Sequence, residues 1–246
     1  MLLRPSHPIV PEKVVIFAPG NDTSVFSIDY QSLLEAYLSR GISVMAFDYS
    51  EVGLSEGVFS TTESYTDIEA VYQELKRRGF EDARIMVEGY SYGSCPALSL
   101  GARHPDLYVL LRCPMGSPED AVEGWLLFDD RHTSRLKIGI GRLITGFAMP
   151  SKNELWAQAI PEGHLHIIYA NDPLERDMHP HQKLLKAHLG HEPTEEELAL
   201  HTKWTGREGY DSHFDVYHSS PTPGHQLTEA FDAFLGRIGF TAIPPH

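Results

Sequence analysis

Apolar runs of strand length recur along the chain, separated by stretches with helical spacing. "KVVIFA" (13–18), "ISVMAFD" (42–48), "RIMVEG" (84–89), "LYVLLRC" (107–113), "HLHIIYA" (164–170) and "FDVYHS" (214–219) read as strands. Most are continuous in Val, Ile and Leu rather than alternating, the mark of strands buried on both faces, as in a parallel sheet. Between them, residues 29–39, 64–79, 92–104, 181–190 and 226–238 space their apolar positions as helices do. Repeated strand–helix–strand units with right-handed crossovers make an α/β fold with a doubly wound, mostly parallel sheet.

Two intervals are too long to be plain connections. Residues 115–160 contain "WLLFDD", "LKIGIGRLITGFAMP" and "NELWAQAI", and read as a small helical cap. Residues 175–212 read as a second helical insertion, where Thr194 and Glu197 have capping-box spacing for a helix over 195–203. Neither looks independent, so residues 1–246 are expected to form a single domain.

Charge narrows the function. Acidic residues outnumber basic ones 34 to 20, a net charge of −14, with no basic stripe. That field repels phosphate backbones and argues against nucleic-acid binding. The two cysteines, Cys95 and Cys113, stand in apolar surroundings and make no disulfide framework, so a reducing cytoplasm is the expected setting. "MLLRPSHPIVPEK" lacks the apolar core of a secretory signal, and no run reaches the length of a membrane span.

The candidate chemistry sits in "VEGYSYGSCP" (87–96), a G-x-S-x-G pattern directly after an apolar run and directly before a helix. The five-residue pattern alone is weak; its position carries the weight. In open parallel sheets, ligands bind beyond the carboxyl ends of the strands, where Ser91 falls. A serine hydroxyl needs a base to take its proton, and the base needs an acid to orient it. Later strand ends offer both: Asp172 after "HLHIIYA" and His225 in the loop after "FDVYHS". Asp177 and His218 are the less well placed substitutes. A developing oxyanion would need two backbone N–H groups. Tyr92, which follows Ser91, supplies one, and Asn21 in "FAPGND", after the first long strand, supplies the other.

These residues resemble the α/β-hydrolase superfamily of serine hydrolases, whose triads run Ser…Asp…His along the chain. Within it the chain is most similar to the α/β-hydrolase-domain proteins that include protein depalmitoylases, and it shares features with the serine aminopeptidase-like group. Beyond the serine turn, "FDYSEVGLSEG" (47–57) resembles the family's D-Y-x-x-x-G-x-S-x-G turn through Asp48, Tyr49, Gly53, Ser55 and Gly57. Pro96, "NDP" and "PGHQLTEAFDAFL" are similar to family features as well. The likeness covers residues 13 to about 113, then only 164–173 and 214–238. It implies an α/β-hydrolase fold and a serine hydrolase acting on a carboxylic ester or thioester without a cofactor.

The sequence departs from that pattern in two places. The family's oxyanion loop usually has His-Gly, where this chain has Pro19-Gly20. Only twelve residues precede "KVVIFA", so the sheet is expected to be shortened at that edge. The lipidated N-terminal Cys cluster of the depalmitoylases has no counterpart here, so membrane targeting does not carry over.

Other constellations add little. His164 and His166 share a strand face, but no third ligand is evident and no metal is expected. No nucleotide-binding glycine loop occurs. Trp125, Phe128 and Phe147 lie in the apolar part of 115–160 and are candidates for an acyl pocket, or else for packing on the core. The expected partner is a small acyl ester or thioester. A serine aminopeptidase would share the same triad, and a non-catalytic binding protein would share the same fold. The sequence does not fix the oligomeric state.

Overall fold

The five apolar runs between residues 13 and 170 become five parallel strands in the computed structural model, which describes residues 1–20, 24–117, 152–170, 180–204 and 226–240. They are β2 (Val14–Ala18), β3 (Ser43–Ala46), β4 (Ile85–Tyr90), β5 (Tyr108–Arg112) and β6 (Leu165–Ala170). Leu2–Leu3 adds a two-residue strand, β1, antiparallel to β3, at the β3 edge of the sheet. The last described strand, β7 (Thr202–Trp204), runs parallel to β6. The sheet order is β1-β3-β2-β4-β5-β6-β7, with β4 at the centre.

Helices cover both faces, as burial of both sides of these strands requires. One face carries α1 (Ile28–Leu38) and the C-terminal helix α7 (Gln226–Arg237), packed through Tyr37, Phe231, Phe234 and Leu235 onto Val15, Phe17, Met86 and Leu110. The other face carries α2 (Thr61–Arg77), α3 (Ser94–Arg103), α4 (Asn153–Ala159) and α5 (Pro180–Leu189). Their Ile68, Leu98, Ala157 and Leu184 meet Ile16, Val87, Val109 and Ile167. The fold is the expected α/β architecture. "NELWAQAI", the end of the long interval after β5, supplies α4, which packs through Ala157 and Ile160 into this layer.

In the second interval the helix is shorter than its spacing predicts. The capping box forms, with Glu197 N–H donating to the Thr194 hydroxyl and the Glu197 carboxylate accepting from Thr194 N–H. The helix it starts, α6 (Glu195–Ala199), is shorter than the expected 195–203. The chain turns at His201, whose Nδ1 accepts from Ile167 N–H at 3.1 Å, and residues 202–204 then join the sheet beside β6. An open hydrogen-bonding edge and the strand formers Thr202 and Trp204 outweigh continued helix. The expected strand at 214–219 lies outside the described residues.

Candidate active site

Ser91 stands at the carboxyl end of the central strand with a φ of 49°. This left-handed conformation disfavours a side chain bearing Cβ, and costs on the order of 1 kcal/mol. The neighbouring glycines show what imposes it. A Cβ on Gly93 would lie 2.1 Å from the Ala18 carbonyl oxygen and 2.6 Å from that of Pro19. A Cβ on Gly89 would lie 2.5 Å from the Gly93 carbonyl oxygen. The strand therefore turns back on itself at van der Waals distance, and the turn presses against the end of β2. A larger residue at either position would push β4 and its following helix apart. Ser91, at the apex, is half-buried.

Residues Ser91–Gly93 form one turn of 3₁₀ helix that runs directly into α3. The first N–H groups of such a segment have no partner within the helix and converge with its dipole on the strand end. Pro96 falls in the first turn of α3, where the missing N–H costs nothing. The Ser94 hydroxyl donates to the Ser91 carbonyl at 2.6 Å and accepts from Met115 N–H at 3.0 Å. Asn153 Nδ2 in turn donates to the Met115 carbonyl at 2.9 Å. The two ends of the segment between β5 and α4 are thereby clasped together beside the serine turn.

The loop after β2 is held at both ends. Gly20 N–H donates to the Tyr30 hydroxyl at 2.8 Å. Further along, Asp48 accepts from Val25 N–H at 2.6 Å and from the Ser24 hydroxyl at 2.9 Å. Gly53, at a φ of 60°, passes so close to Asp48 that a Cβ would lie 2.2 Å from its Oδ2. Ser55 Oγ closes this turn by donating to the Asp48 carbonyl at 3.0 Å. Asp48, Gly53 and Ser55, the family-like turn of the sequence, thus hold the chain at Ser24 and Val25, where it leaves the loop after β2.

Of the residues singled out from sequence, Ser91 and Tyr92 lie side by side at this turn. The Tyr92 side chain is buried, its hydroxyl 2.9 Å from that of Ser64, and burial pushes its pKa up to about 12. Asn21, Asp172, His225, Trp125, Phe128 and Phe147, with the substitutes Asp177 and His218, lie outside the described residues. Their flanks are described: β6 ends at Ala170, two residues before Asp172, and α7 begins at Gln226, next to His225. Sequence reasoning missed the Ser94 hydroxyl and the tyrosines around the β2 loop. Tyr49 belongs to the quoted turn and could have been followed further; Ser94 carries no distinguishing signal.

Behind the site, on the face covered by α1 and α7, lies a buried polar group. Glu88, fully buried, pairs with Arg112 and accepts from the Tyr37 hydroxyl. Burial pushes the Glu88 carboxyl above its ordinary value, against the pull of the Arg112 guanidinium. Arg112 also lies over the Phe231 ring of α7, 4.9 Å from its centroid. His166 stacks on Phe234 at 4.6 Å and on His201 at 5.4 Å. Burial lowers these two histidines to about 3 and about 4 respectively. His164 stacks on Tyr108 instead, at 4.4 Å. Among the described residues, no group of three His, Cys, Asp or Glu side chains is arranged to hold a metal ion.

The comparisons with known proteins agree with this geometry at the level of fold. No family model matches the chain. Over 108 residues, 42% of this chain, it is 29% identical to the human protein "Alpha/beta hydrolase domain-containing protein 17B", and the match covers 36% of that protein. The Xenopus tropicalis "Alpha/beta hydrolase domain-containing protein 17C" is 31% identical over the same length, 33% of its own. The match thus spans about a third of the length of these relatives. An esterase of Pyrococcus furiosus superposes with a TM-score of 0.69 at 18% identity, covering 92% of this chain and 82% of the esterase. An alpha-beta hydrolase of Vibrio vulnificus gives 0.67 at 19% identity, covering 90% and 74%. The chain has the α/β-hydrolase fold.

Proposed function

We propose that the protein is a serine hydrolase that cleaves a carboxylic ester or thioester through an acyl-enzyme. The observation that carries this reading is Ser91, held at a φ of 49° by glycines that tolerate no Cβ, at the carboxyl end of the central strand. Such strain contributes nothing to packing, and a tight strand-to-helix turn of this kind is what presents a nucleophile in the G-x-S-x-G pattern. Support also comes from the names of similar proteins, α/β-hydrolase-domain proteins and an esterase.

In this reading His225 takes the Ser91 proton as Oγ attacks the acyl carbonyl, and Asp172 holds the imidazole in the tautomer that can accept it. The N–H groups of Tyr92 and Asn21 stabilise the tetrahedral oxyanion. Collapse expels the alcohol or thiol, protonated by His225, and leaves the acyl group on Ser91. Water, deprotonated by His225, then releases the carboxylic acid and restores the serine. All the bonds made and broken are accounted for without a cofactor. The apolar stretch bearing Trp125, Phe128 and Phe147 is the proposed wall for the acyl chain.

A fluorophosphonate probe tests the nucleophile. Wild type should be labelled and Ser91→Ala should not; equal labelling of both removes Ser91 from the mechanism. Turnover of p-nitrophenyl esters from acetyl to palmitoyl, beside an acyl thioester, then defines chain length and leaving group.

A further inference from the structure

A left-handed Ser91 persists only if its surroundings hold it there. Ser94 grips the Ser91 carbonyl twice, through its own N–H, which closes the 3₁₀ turn, and through its hydroxyl at 2.6 Å. The Ser94 side chain is fully buried, and its hydroxyl is fixed in turn by accepting from Met115 N–H at 3.0 Å. Met115 lies beyond the end of β5, and its carbonyl accepts from Asn153 Nδ2, at the start of α4. Asn153 is buried as well, with Nδ2 also 3.2 Å from the Cys95 Sγ. Two segments distant in sequence thus converge on one hydroxyl beside the serine turn. Tyr92, the residue after Ser91, is anchored separately through its side chain. Its ring meets those of Tyr49 and Phe59 at centroid distances of 5.8 and 5.6 Å, and its hydroxyl lies 2.9 Å from that of Ser64. Tyr49 is held by donating to the Pro19 carbonyl at 3.1 Å.

We propose that Ser94 is a positioning residue that, through the Ser91 carbonyl, holds the Ser91–Tyr92 peptide in the orientation that aims the Tyr92 N–H at the developing oxyanion. The proposal rests on the serine-hydrolase reading and deepens it. That peptide is planar, so the Ser91 C=O and the Tyr92 N–H point in opposite directions and turn together. A side chain that fixes the carbonyl therefore aims the N–H. With the Tyr92 ring already anchored, rotation of this one peptide plane is the freedom that has to be restrained, and the Ser94 hydroxyl is bonded to it. Met115 and Asn153 keep that hydroxyl from turning away. A donor stabilises the transition state only if it points to where the oxyanion will be, so a small tilt is felt in turnover before it is felt in substrate binding. Ser94 acts through the backbone alone and is not itself a catalytic residue.

Ser94→Ala removes the hydroxyl and keeps the N–H grip. The expected result is a fall in kcat of about tenfold on p-nitrophenyl butyrate, with KM within about twofold, because a mis-aimed donor is lost from the transition state and not from substrate binding. Affinity for a trifluoromethyl ketone, whose hemiketal carries an oxyanion, should fall by the same factor, as should the rate of fluorophosphonate labelling. Asn153→Ala, which releases Met115, should lower the same three quantities by about threefold, and it decides the matter if Ser94→Ala does not fold. A Ser94 that only packs the start of α3 would lower Tm while leaving kcat, ketone affinity and labelling rate at wild-type values. That result overturns the proposal, and so does a loss confined to KM. The two readings fail differently. If Ser91→Ala is labelled as fast as wild type, or wild type is not labelled at all, the hydrolase reading falls and takes this proposal with it. If wild type is labelled, Ser91→Ala is not, and Ser94→Ala matches wild type, only the role of Ser94 falls.

Discussion

Strand β4 and the turn that ends it break two rules of protein architecture within four residues, once behind the site and once at it. At Glu88 the strand buries a carboxylate completely; at Ser91 the turn forces a residue with Cβ into the left-handed region. The first irregularity is answered locally. Arg112 and Tyr37 satisfy the carboxylate, and Phe231 covers the guanidinium, so the group ties β4 and β5 to α1 and α7. The second is not answered by any packing gain: the glycines around it enforce the strain instead of relieving it. A buried charge with its partners reads as architecture, whereas strain maintained at a strand end reads as chemistry.

The two sides should respond differently to substitution. The largest effect belongs to the chemistry: Asp172→Asn should lower kcat by about 10³–10⁴ with little change in KM, because the wrong imidazole tautomer is then favoured. If Asp177→Asn shows that loss in steady-state kinetics and Asp172→Asn does not, the acid is Asp177. Arg112→Met leaves Glu88 buried without its partner and should cost about 3–5 kcal/mol in urea unfolding. The double replacement Glu88→Met with Arg112→Met should recover most of it, and no recovery would mean the pair does more than neutralise itself. Gly93→Ala drives a Cβ into two carbonyl oxygens that cannot swing aside, so it should cost about 3 kcal/mol and abolish turnover together.

Smaller effects sharpen the contrast. His166 and His201 titrate at about 3 and about 4 in the folded protein, below an unfolded value of about 6.5. The unfolded chain therefore binds more protons in that window. Stability is full above about pH 6.5 and is lost as the pH falls, by up to about 1.4 kcal/mol per unit for each histidine. His166→Phe, which can still stack on Phe234, should flatten that acid limb in a Tm-against-pH series; an unchanged limb would assign it to other groups. The smallest effect is the most telling for the strain itself. Ser91→Gly should raise stability by about 0.5–1 kcal/mol in the same unfolding assay while abolishing turnover. Equal or lower stability would mean that the turn holds no strain at Ser91.

The sheet and its flanking helices were legible because continuous apolar runs and helical spacing report burial, and burial is what a doubly wound sheet imposes on its sequence. The helix expected over 195–203 stops at Ala199. A capping box marks where a helix starts and says nothing of where it stops, and an available sheet edge is a tertiary fact. The serine turn was legible through Gly89 and Gly93, whose need for close approach is local. The clasp of Ser94 on Met115 and the hold of Tyr49 on Pro19 were not. Each joins segments more than 20 residues apart through a hydroxyl; Tyr49 at least stands in the quoted turn, whereas nothing in the sequence distinguishes Ser94 from any other serine. The charged Glu88 inside "RIMVEG" was a visible signal of a buried partner, but only the register of β4 beside β5 brings Arg112 within reach.

A nucleophilic Ser91 becomes covalently acylated during turnover. Mixing the protein with p-nitrophenyl butyrate, quenching in acid within the first turnovers and mapping peptides by mass spectrometry tests it directly. The expected result is a butyryl adduct on the peptide containing Ser91, absent from Ser91→Ala. Release of p-nitrophenol from folded wild-type protein with no adduct there, or with an adduct on another residue, would contradict it.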